Sequence, residues 1–304
     1  MKWKIGNVTI TKIAEIESTS HATWILPDLT AENLARPELA WCRPHFARGD
    51  GQVHMSVHAL VVESEGRRII VDTCVGNDKS IRMAGWNRRQ GPFLRDLAAA
   101  GFAADSIDTV LCTHLHVDHV GWNTRLENGK WVPTFPNARY LWNRGEYEFW
   151  SRTEQKQFGS VVQESVLPVW EAGKVDLVAP DHVVTSEVQL EPTCGHTPGH
   201  VSVHVTSRGD EAVITGDLMH HHAQCSHPEW RSIADSDGAL AERTRRDFLA
   251  RYADRPVLVI GTHFATPTAG RIVRDGAAYR FAVCWPERPG SRAAAGSRRP
   301  SGPP

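Results

Sequence analysis

The chain has 304 residues, of which 41% are hydrophobic and 23% are charged, and its net charge is −1 at pH 7 with histidine neutral. A chain of this length can bury a full hydrophobic core, and its balanced charge lacks the basic stripe that is typical of nucleic-acid-binding proteins. The sequence has no run of about 18 apolar residues, so it predicts no membrane span.

Predicted strands and helices alternate irregularly along the chain. The strands are predicted at residues 3–15, 57–62, 68–71, 109–112, 140–142, 187–191, 201–205, 212–215 and 257–260. The helices are predicted at residues 30–35, 93–100, 144–150 and 240–252. Strand-rich runs in both halves of the chain predict an α/β fold in which two sheets pack together under outer helices. We expect the strand at 257–260 to be the last strand of the core.

The domain organisation follows from composition. Residues 1–284 are predicted to form one domain, in which residues 18–53 are a long N-terminal loop or arm. Loops of this length tend to serve as lids, binding loops or contact arms, so this segment is also a candidate contact for a homodimer. Residues 285–304 are rich in Arg, Gly, Pro and Ser, a composition typical of a disordered tail.

The cysteines and the N-terminus indicate the compartment. The six cysteines are scattered and form no CxxC pair, so we expect reduced thiols rather than a disulfide framework. Residues 1–6 lack the apolar core of a signal peptide. We therefore expect a cytoplasmic protein.

Histidine is the anomaly of the composition, because the 16 histidines occur in short clusters. The strongest cluster is HLHVDH at residues 114–119, directly after a predicted buried strand. His114 and His116 are two residues apart, so in extended backbone both rings point the same way and can reach one ion. Asp118 and His119 follow at a turn and can face a second ion. Imidazole and carboxylate are ligands that zinc, iron and manganese accept.

Three further polar residues follow predicted strands. His196, Asp217 and His263 each lie where an apolar run stops. Groups at strand ends are held by a rigid sheet, which is what a preorganised site requires. The sequence therefore predicts that these residues join the cluster at 114–119.

HxHxDH followed by a lone His, Asp and His resembles the metallo-β-lactamase superfamily over residues 55–270. Asp72, in the sequence Asp-Thr-Cys, is similar to the upstream Asp motif of that family. The resemblance implies a four-layer αββα sandwich with metal ions at the edge of the two sheets. The most similar branches are those of methyl parathion hydrolase, acyl-homoserine lactonase and glyoxalase II.

The resemblance also implies the role of each motif residue. Each chain would hold two divalent metal ions, with zinc as the expected metal, and Asp217 would bridge them. The implied ligands of the first ion are His114, His116 and His196, and those of the second are Asp118, His119 and His263. The best-known β-lactamases have cysteine at the position of Asp217, so the aspartate favours a hydrolase of other substrates over an antibiotic-hydrolysing enzyme.

The implied chemistry is hydrolysis of a small ester-like molecule: a lactone, carboxyl ester, thioester or phosphotriester. Metal-bound hydroxide would attack the substrate, and Asp118 could pass a proton to the leaving group. His220 occupies a place similar to a tyrosine that contacts the substrate carbonyl in the lactonase branch. It could donate a hydrogen bond to a substrate oxygen, and we assign it, with Asp118, a catalytic role.

Other residues are assigned supporting roles. Asp72 is expected to orient a ligand histidine through its outer ring nitrogen, and His200 is expected to make a structural hydrogen bond. An apolar pocket would be lined by aromatic residues, for which the candidates are Trp24, Trp122, Trp230 and Phe264.

Three alternatives share the fold or the residues. The first is an iron-dependent oxidoreductase similar to persulfide dioxygenases or flavodiiron proteins, although the sequence shows no flavodoxin-like domain. The second is a nuclease, which would carry a basic surface that is missing here. The third is a non-enzymatic metal-binding module, which would have no need of the complete residue set. We expect a small-molecule substrate, no nucleic acid and no membrane as partners.

Overall fold

The computed structural model describes residues 1–152 and 160–284, and its core consists of two seven-stranded sheets. The first sheet has the spatial order β1-β2-β3-β4-β5-β8-β9, with β1 Lys2–Ile5, β2 Val8–Ser20, β3 Val53–Ser64, β4 Arg67–Val71, β5 Thr109–Leu111, β8 Arg139–Asn143 and β9 Val175–Val178. The second has the order β10 to β16, with β10 Val183–Thr185, β11 Val188–Pro192, β12 Val201–Ser207, β13 Asp210–Ile214, β14 Val257–Ile260, β15 Ala269–Asp275 and β16 Ala278–Val283. A separate hairpin pairs β6 Thr124–Glu127 with β7 Lys130–Pro133. The predicted disordered tail, residues 285–304, lies outside the described residues.

Five α-helices accompany the sheets in the described part of the chain. They are α1 Ala31–Leu34, α2 Phe93–Ala99, α3 Arg144–Arg152, α4 Leu167–Glu171 and α5 Gly238–Tyr252. The longest, α5, begins where the side chain of Asp237 accepts a hydrogen bond from the Leu240 N–H, at 2.9 Å. None of the helices that the structure describes is both long and apolar enough to cross a lipid bilayer.

Alternation of side chains along the strands builds the layers. On β3, Leu60 and Val62 pack in the core between the two sheets, whereas Val61 packs in a second core with α2 and α3. On β13, Ile214 faces the core between the sheets and Val213 packs with α5. Each sheet is thus buried on both faces, as period-2 alternation requires. The predicted αββα sandwich is confirmed.

Two sequence-based expectations about strands are wrong. The strand predicted at 3–15 is a hairpin, because Gly6 adopts a φ of +55° and β1 turns back to pair with β2. A Cβ atom on Gly6 would lie 2.2 Å from the Ser207 carbonyl oxygen, so this turn requires glycine. The strand at 257–260 is not the last one, since β15 and β16 extend the sheet beyond it. Their outward faces are polar, and this weakened the apolar signal.

A register shift interrupts β2 between Ala14 and Ile16 where it pairs with β3, which is a β-bulge at Glu15. The Glu15 side chain is buried and accepts hydrogen bonds from the Val75 and Gly76 N–H groups, at 2.8 and 3.2 Å. The side chain at the bulge therefore holds the loop that follows β4 in place.

Parallel strands at the centre of each sheet set the position of the functional site. In the first sheet β4, β5 and β8 are parallel, and in the second β13 and β14 are parallel. The two edges meet, because the Val201 N–H at the start of β12 donates to the Thr113 carbonyl oxygen at 3.0 Å. Loops from both sheets converge at this edge.

Candidate metal centre

The residues singled out in the sequence come together in two adjoining groups at the shared edge of the sheets. The first group is His114, His116, His196 and Asp217, and the second is Asp118, His119 and His263. Within each group the donor atoms lie within 4.8 Å of one another. The groups are supplied by the loops that follow β5, β11, β13 and β14.

The first group contains three imidazole rings in addition to Asp217. The Nδ1 atom of His116 lies 3.1 Å from Nε2 of His114 and 2.9 Å from Nε2 of His196. Burial lowers the pKa of all three rings well below its usual range. The rings are therefore neutral near pH 7, which is the form of histidine that binds metal.

The second group combines two imidazoles with a carboxylate. Nε2 of His119 lies 3.7 Å from Asp118 Oδ1, and Nε2 of His263 lies 3.5 Å from Asp118 Oδ2. Burial lowers the pKa of each ring, but Asp217 and the neighbouring carboxylates outweigh burial and raise it. These carboxylates therefore favour a positive charge between them.

Asp217 lies between the two groups. Its Oδ1 atom is 3.1 Å from Nε2 of His263, and its Oδ2 atom is 3.4 Å from Nε2 of His196. Among the described residues, Asp217 Oδ1 and His119 Nε2 are buried without any hydrogen-bond partner. A buried polar atom without a partner costs about 1–3 kcal/mol, and a cation beside these two atoms would satisfy both. The donor set of imidazole and carboxylate thus fits divalent transition metals.

Hydrogen bonds on the outer ring nitrogens orient three of the histidines. The Nδ1–H of His119 donates to Asp72 Oδ2 at 2.9 Å, as the sequence predicts for Asp72. The Nδ1–H of His263 donates to the Ser56 carbonyl oxygen at 3.1 Å, and that of His196 donates to Asp235 Oδ1 at 2.9 Å. In each case the inner nitrogen keeps its lone pair for a ligand.

His200 makes a structural hydrogen bond, as expected. Its Nδ1–H donates to the Thr193 carbonyl oxygen at 3.0 Å, and its Nε2 accepts from the Asp217 N–H at 2.9 Å. Burial lowers its pKa to about 4, which keeps Nε2 free to accept. His200 thereby fixes the backbone that carries Asp217.

The three consecutive histidines after Asp217 have different environments. His220 lines the cleft, lies with Nε2 3.3 Å from Asp217 Oδ2, and stacks on His263. His221 is structural, since its ring donates to the Phe46 carbonyl oxygen at 3.0 Å. His222 is stacked on Phe46 and Phe264 in the core. His220 is the one of the three that reaches the candidate centre.

A cleft with a volume of about 290 Å³ opens above the two groups. Among the described residues that line it, none is Lys or Arg, and the only carboxylates are those of Asp118 and Asp217. Most of the wall is apolar, formed by Ile16, Trp24, Ile25, Met55, Val57, Met83, Trp86, Val117 and Ala234.

The aromatic lining differs from the expectation. Trp24 lines the cleft as predicted, but Trp122, Trp230 and Phe264 do not. Trp122 packs on Phe93 in the core, Trp230 stacks on an imidazole outside the cleft, and Phe264 is buried. Single aromatic residues near a motif more often pack in the core than line a site.

Sequence analysis also missed two buried acids beside the centre. Asp235 contacts His196 across 39 residues of chain. Glu146 accepts hydrogen bonds from the Leu115 N–H at 3.0 Å and the Gly199 N–H at 2.9 Å, so it joins the two loops that carry the first group. Burial raises the pKa of Glu146. Neither acid belongs to a local motif, so no signal in the sequence identifies it.

Comparisons with known proteins agree with this geometry. An N-acyl homoserine lactonase from Bacillus sp is 29% identical over 125 residues, which is 41% of this chain and 43% of that relative's length. A hydrolase of the beta lactamase superfamily, AbOPH, has a TM-score of 0.76 at 22% identity, covering 95% of this chain and 98% of its own. AidC, a dizinc quorum-quenching lactonase, has a TM-score of 0.75 at 22% identity, covering 95% of this chain and 97% of its own.

These two structural likenesses show the fold. The match to the lactonase spans less than half of that relative's length. The family model described as the metallo-beta-lactamase superfamily matches residues 54–263, which is more than half of the chain and includes both groups of the candidate centre. The chain belongs to the metallo-β-lactamase superfamily.

Proposed function

We propose that this chain is a metal-dependent hydrolase that cleaves a small, uncharged ester-like substrate, with a lactone as the first candidate. Two divalent cations, zinc in the first instance, would be held by the two groups of side chains. The first would be held by His114, His116 and His196, the second by Asp118, His119 and His263, and both by Asp217. The observation that carries the proposal is that Asp217, a member of the first donor group, also borders His119 and His263 of the second, at the base of an apolar cleft.

When bound, divalent cations would supply a nucleophilic water at neutral pH and polarise the carbonyl or phosphoryl group, which makes its carbon or phosphorus more electrophilic. The chain's own residues hold and orient these groups. The side chain of Asp118 is 11% exposed toward the cleft, so it can pass a proton to the leaving oxygen. His220 presents a ring nitrogen beside Asp217 at the cleft wall, where it can donate a hydrogen bond to a substrate oxygen.

The residue composition of the cleft wall favours an uncharged substrate. Away from the proposed cations, a charged group of an anionic substrate would meet no side-chain cation among the described lining residues. Substrates with a charged group away from the cleaved bond, such as carboxylate-bearing thioesters, are therefore disfavoured. Apolar side chains around the mouth suit a substrate with a hydrocarbon arm. The N-acyl homoserine lactonase relative and the AidC likeness support a lactone.

A panel of zinc-loaded hydrolysis assays tests the proposal. The panel contains lactones with and without an acyl chain, aryl esters, phosphotriesters and a carboxylate-bearing thioester. We expect turnover of uncharged substrates, loss of turnover in Asp217→Asn, and wild-type turnover in Asp247→Asn, which changes an exposed aspartate of α5. Full metal loading without turnover of any ester would contradict the proposal. Predominant iron with oxygen consumption would favour the oxidoreductase instead.

A further inference from the structure

We propose that Asp235 is a positioning residue of the metal centre, which fixes the ring of His196 and connects it to the mouth of the cleft. This inference rests on the proposed function, because it concerns the same centre. It adds a residue that carries no motif and that lies outside the set of candidate ligands.

The contact with His196 sets which ring nitrogen is available. Asp235 Oδ1 accepts from the Nδ1–H of His196 at 2.9 Å. The proton is thereby kept on Nδ1, so Nε2 presents its lone pair toward His116 Nδ1, 2.9 Å away. Only 1% of the Asp235 side chain is exposed, so water does not compete for the carboxylate.

Asp235 is itself held on its other oxygen. Oδ2 accepts from the Ser232 N–H at 3.1 Å and lies 3.7 Å from Nη2 of Arg245, whose side chain is fully buried. Arg245 is fixed in turn by donating to the carbonyl oxygens of Leu218, at 2.9 Å, and Trp230, at 3.1 Å. The Ser232 N–H and Arg245 therefore hold the carboxylate in place on the side away from His196.

The segment around Asp235 also forms part of the cleft. Ala234 lines the cleft, and the Ile233 N–H donates at 3.0 Å to the carbonyl oxygen of Ile25, another lining residue. On the other side, the Ser236 N–H donates to the carbonyl oxygen of His196 at 2.8 Å. Residues 233–236 therefore touch the N-terminal arm, the cleft and His196 in turn. A substrate in contact with Ala234 would therefore contact the segment that holds His196 in place.

Metal affinity tests this role independently of turnover. Zn²⁺ affinity is measured by chelator competition for the wild type, Asp235→Asn and Asp237→Asn. Asp237 is the matched control, because it lies in the same segment and caps α5, and asparagine also caps helices well. The absorption spectrum of the Co²⁺-substituted proteins reports the ligand geometry, and thermal unfolding of the metal-free proteins reports stability.

We expect Asp235→Asn to weaken one of the two metal-binding steps by roughly 10- to 100-fold and to change the Co²⁺ spectrum, with Asp237→Asn unchanged. Wild-type affinity and spectrum in Asp235→Asn would overturn the inference while leaving the hydrolase proposal intact. If the wild type hydrolyses no ester but Asp235→Asn still loses metal affinity, the hydrolase proposal is contradicted and the positioning role of Asp235 is supported. Should Asp235→Asn not fold, a crystal structure of the zinc-loaded wild type decides, because an Asp235–His196 separation beyond about 3.5 Å excludes the hydrogen bond.

Discussion

Oδ1 of Asp217 lies 3.2 Å from Nε2 of His119, and among the described residues neither atom has a hydrogen-bond partner. A lone pair and a carboxylate oxygen that face each other in a buried site are stabilised when a cation lies between them. We therefore expect Asp217→Asn, which keeps the shape of the side chain and removes its charge, to lose bound metal. The expected fall in kcat/KM is about 10²- to 10⁴-fold, since several kcal/mol of transition-state stabilisation depend on the metals.

Metal analysis and steady-state kinetics of the same preparations measure this prediction. Asp247→Asn is the control, because this residue lies on the exposed side of α5. Full metal content with wild-type kcat/KM in Asp217→Asn would exclude a bridging role.

Asp72→Asn tests the orientation of His119. Asp72 has a φ of +57°, a conformation that asparagine also tolerates, so the backbone should not change. The amide has one oxygen where the carboxylate has two, and Asp72 now accepts from Thr113 as well as from the His119 Nδ1–H. We expect metal affinity to fall roughly 10- to 100-fold. Chelator competition measures it, and an unchanged affinity would show that His119 needs no support.

His220→Ala separates substrate contact from metal binding. If His220 donates to a substrate oxygen, kcat should fall by about 10²- to 10³-fold while metal content stays at the wild-type level. His182→Ala is the control, since His182 lies before β10, outside the cleft lining. A variant that loses metal would instead place His220 among the ligands, as its proximity to Asp217 and His263 allows.

Trp24→Ala tests the apolar wall. The side chain lines the cleft and the residue is 45% exposed, so its removal should cost little stability. We expect KM to rise about three- to tenfold for substrates with a long acyl arm and to stay constant for short ones. Trp170→Ala is the matched control, because Trp170 is 41% exposed on α4 and does not line the cleft. Equal effects on long and short substrates would contradict a contact with the arm.

Acid stability depends on a buried histidine outside the centre. Burial lowers the pKa of His221 to about 4 from an ordinary value of 6.5. As the pH falls, the unfolded chain binds a proton first, so stability decreases between pH 6.5 and about 4. His221→Gln removes this group. We expect the variant to have a lower free energy of unfolding than the wild type at pH 7, because it loses the hydrogen bond to Phe46. At pH 5 this difference between the two proteins should be smaller by about 2 kcal/mol.

Urea unfolding of both proteins at the two pH values measures this difference. The remaining histidines titrate in both proteins and cancel in the comparison. An equal difference in free energy of unfolding at both pH values would show that His221 does not contribute to the pH dependence of stability.

Residues of the candidate centre that are close together in the chain could be predicted from the sequence, whereas contacts between distant residues could not. HLHVDH at 114–119 is local, so strand periodicity alone places His114 and His116 on one side. The contact between Asp235 and His196 is made by folding, and no spacing rule reaches across it. Trp122 shows the opposite error, since its closeness to the motif in sequence does not bring it to the cleft.

The strands followed the same principle. Val61 and Val62 lie in strongly apolar runs, and β3 was predicted well. Gly6 breaks a run of strand-forming residues by a turn, which hydrophobic periodicity does not detect. At the other end, β15 and β16 carry exposed arginines such as Arg271, so their apolar content is too low to predict a strand.

The bulge at Glu15 determines which residues of β2 face the cleft. In regular pairing, one extra residue reverses the faces of all residues that follow, whereas a bulge sets two residues against one and keeps those faces unchanged. The bulge absorbs Glu15, so Ile16 and Ser18 lie opposite Val57 and Met55 of β3 and line the cleft with them. If the same residues paired with β3 without a bulge, Glu17 and Thr19 would face the cleft in their place and bring a further carboxylate to its wall. One bulge in β2 can therefore decide which side chains a bound molecule meets, with every residue of the candidate centre left intact.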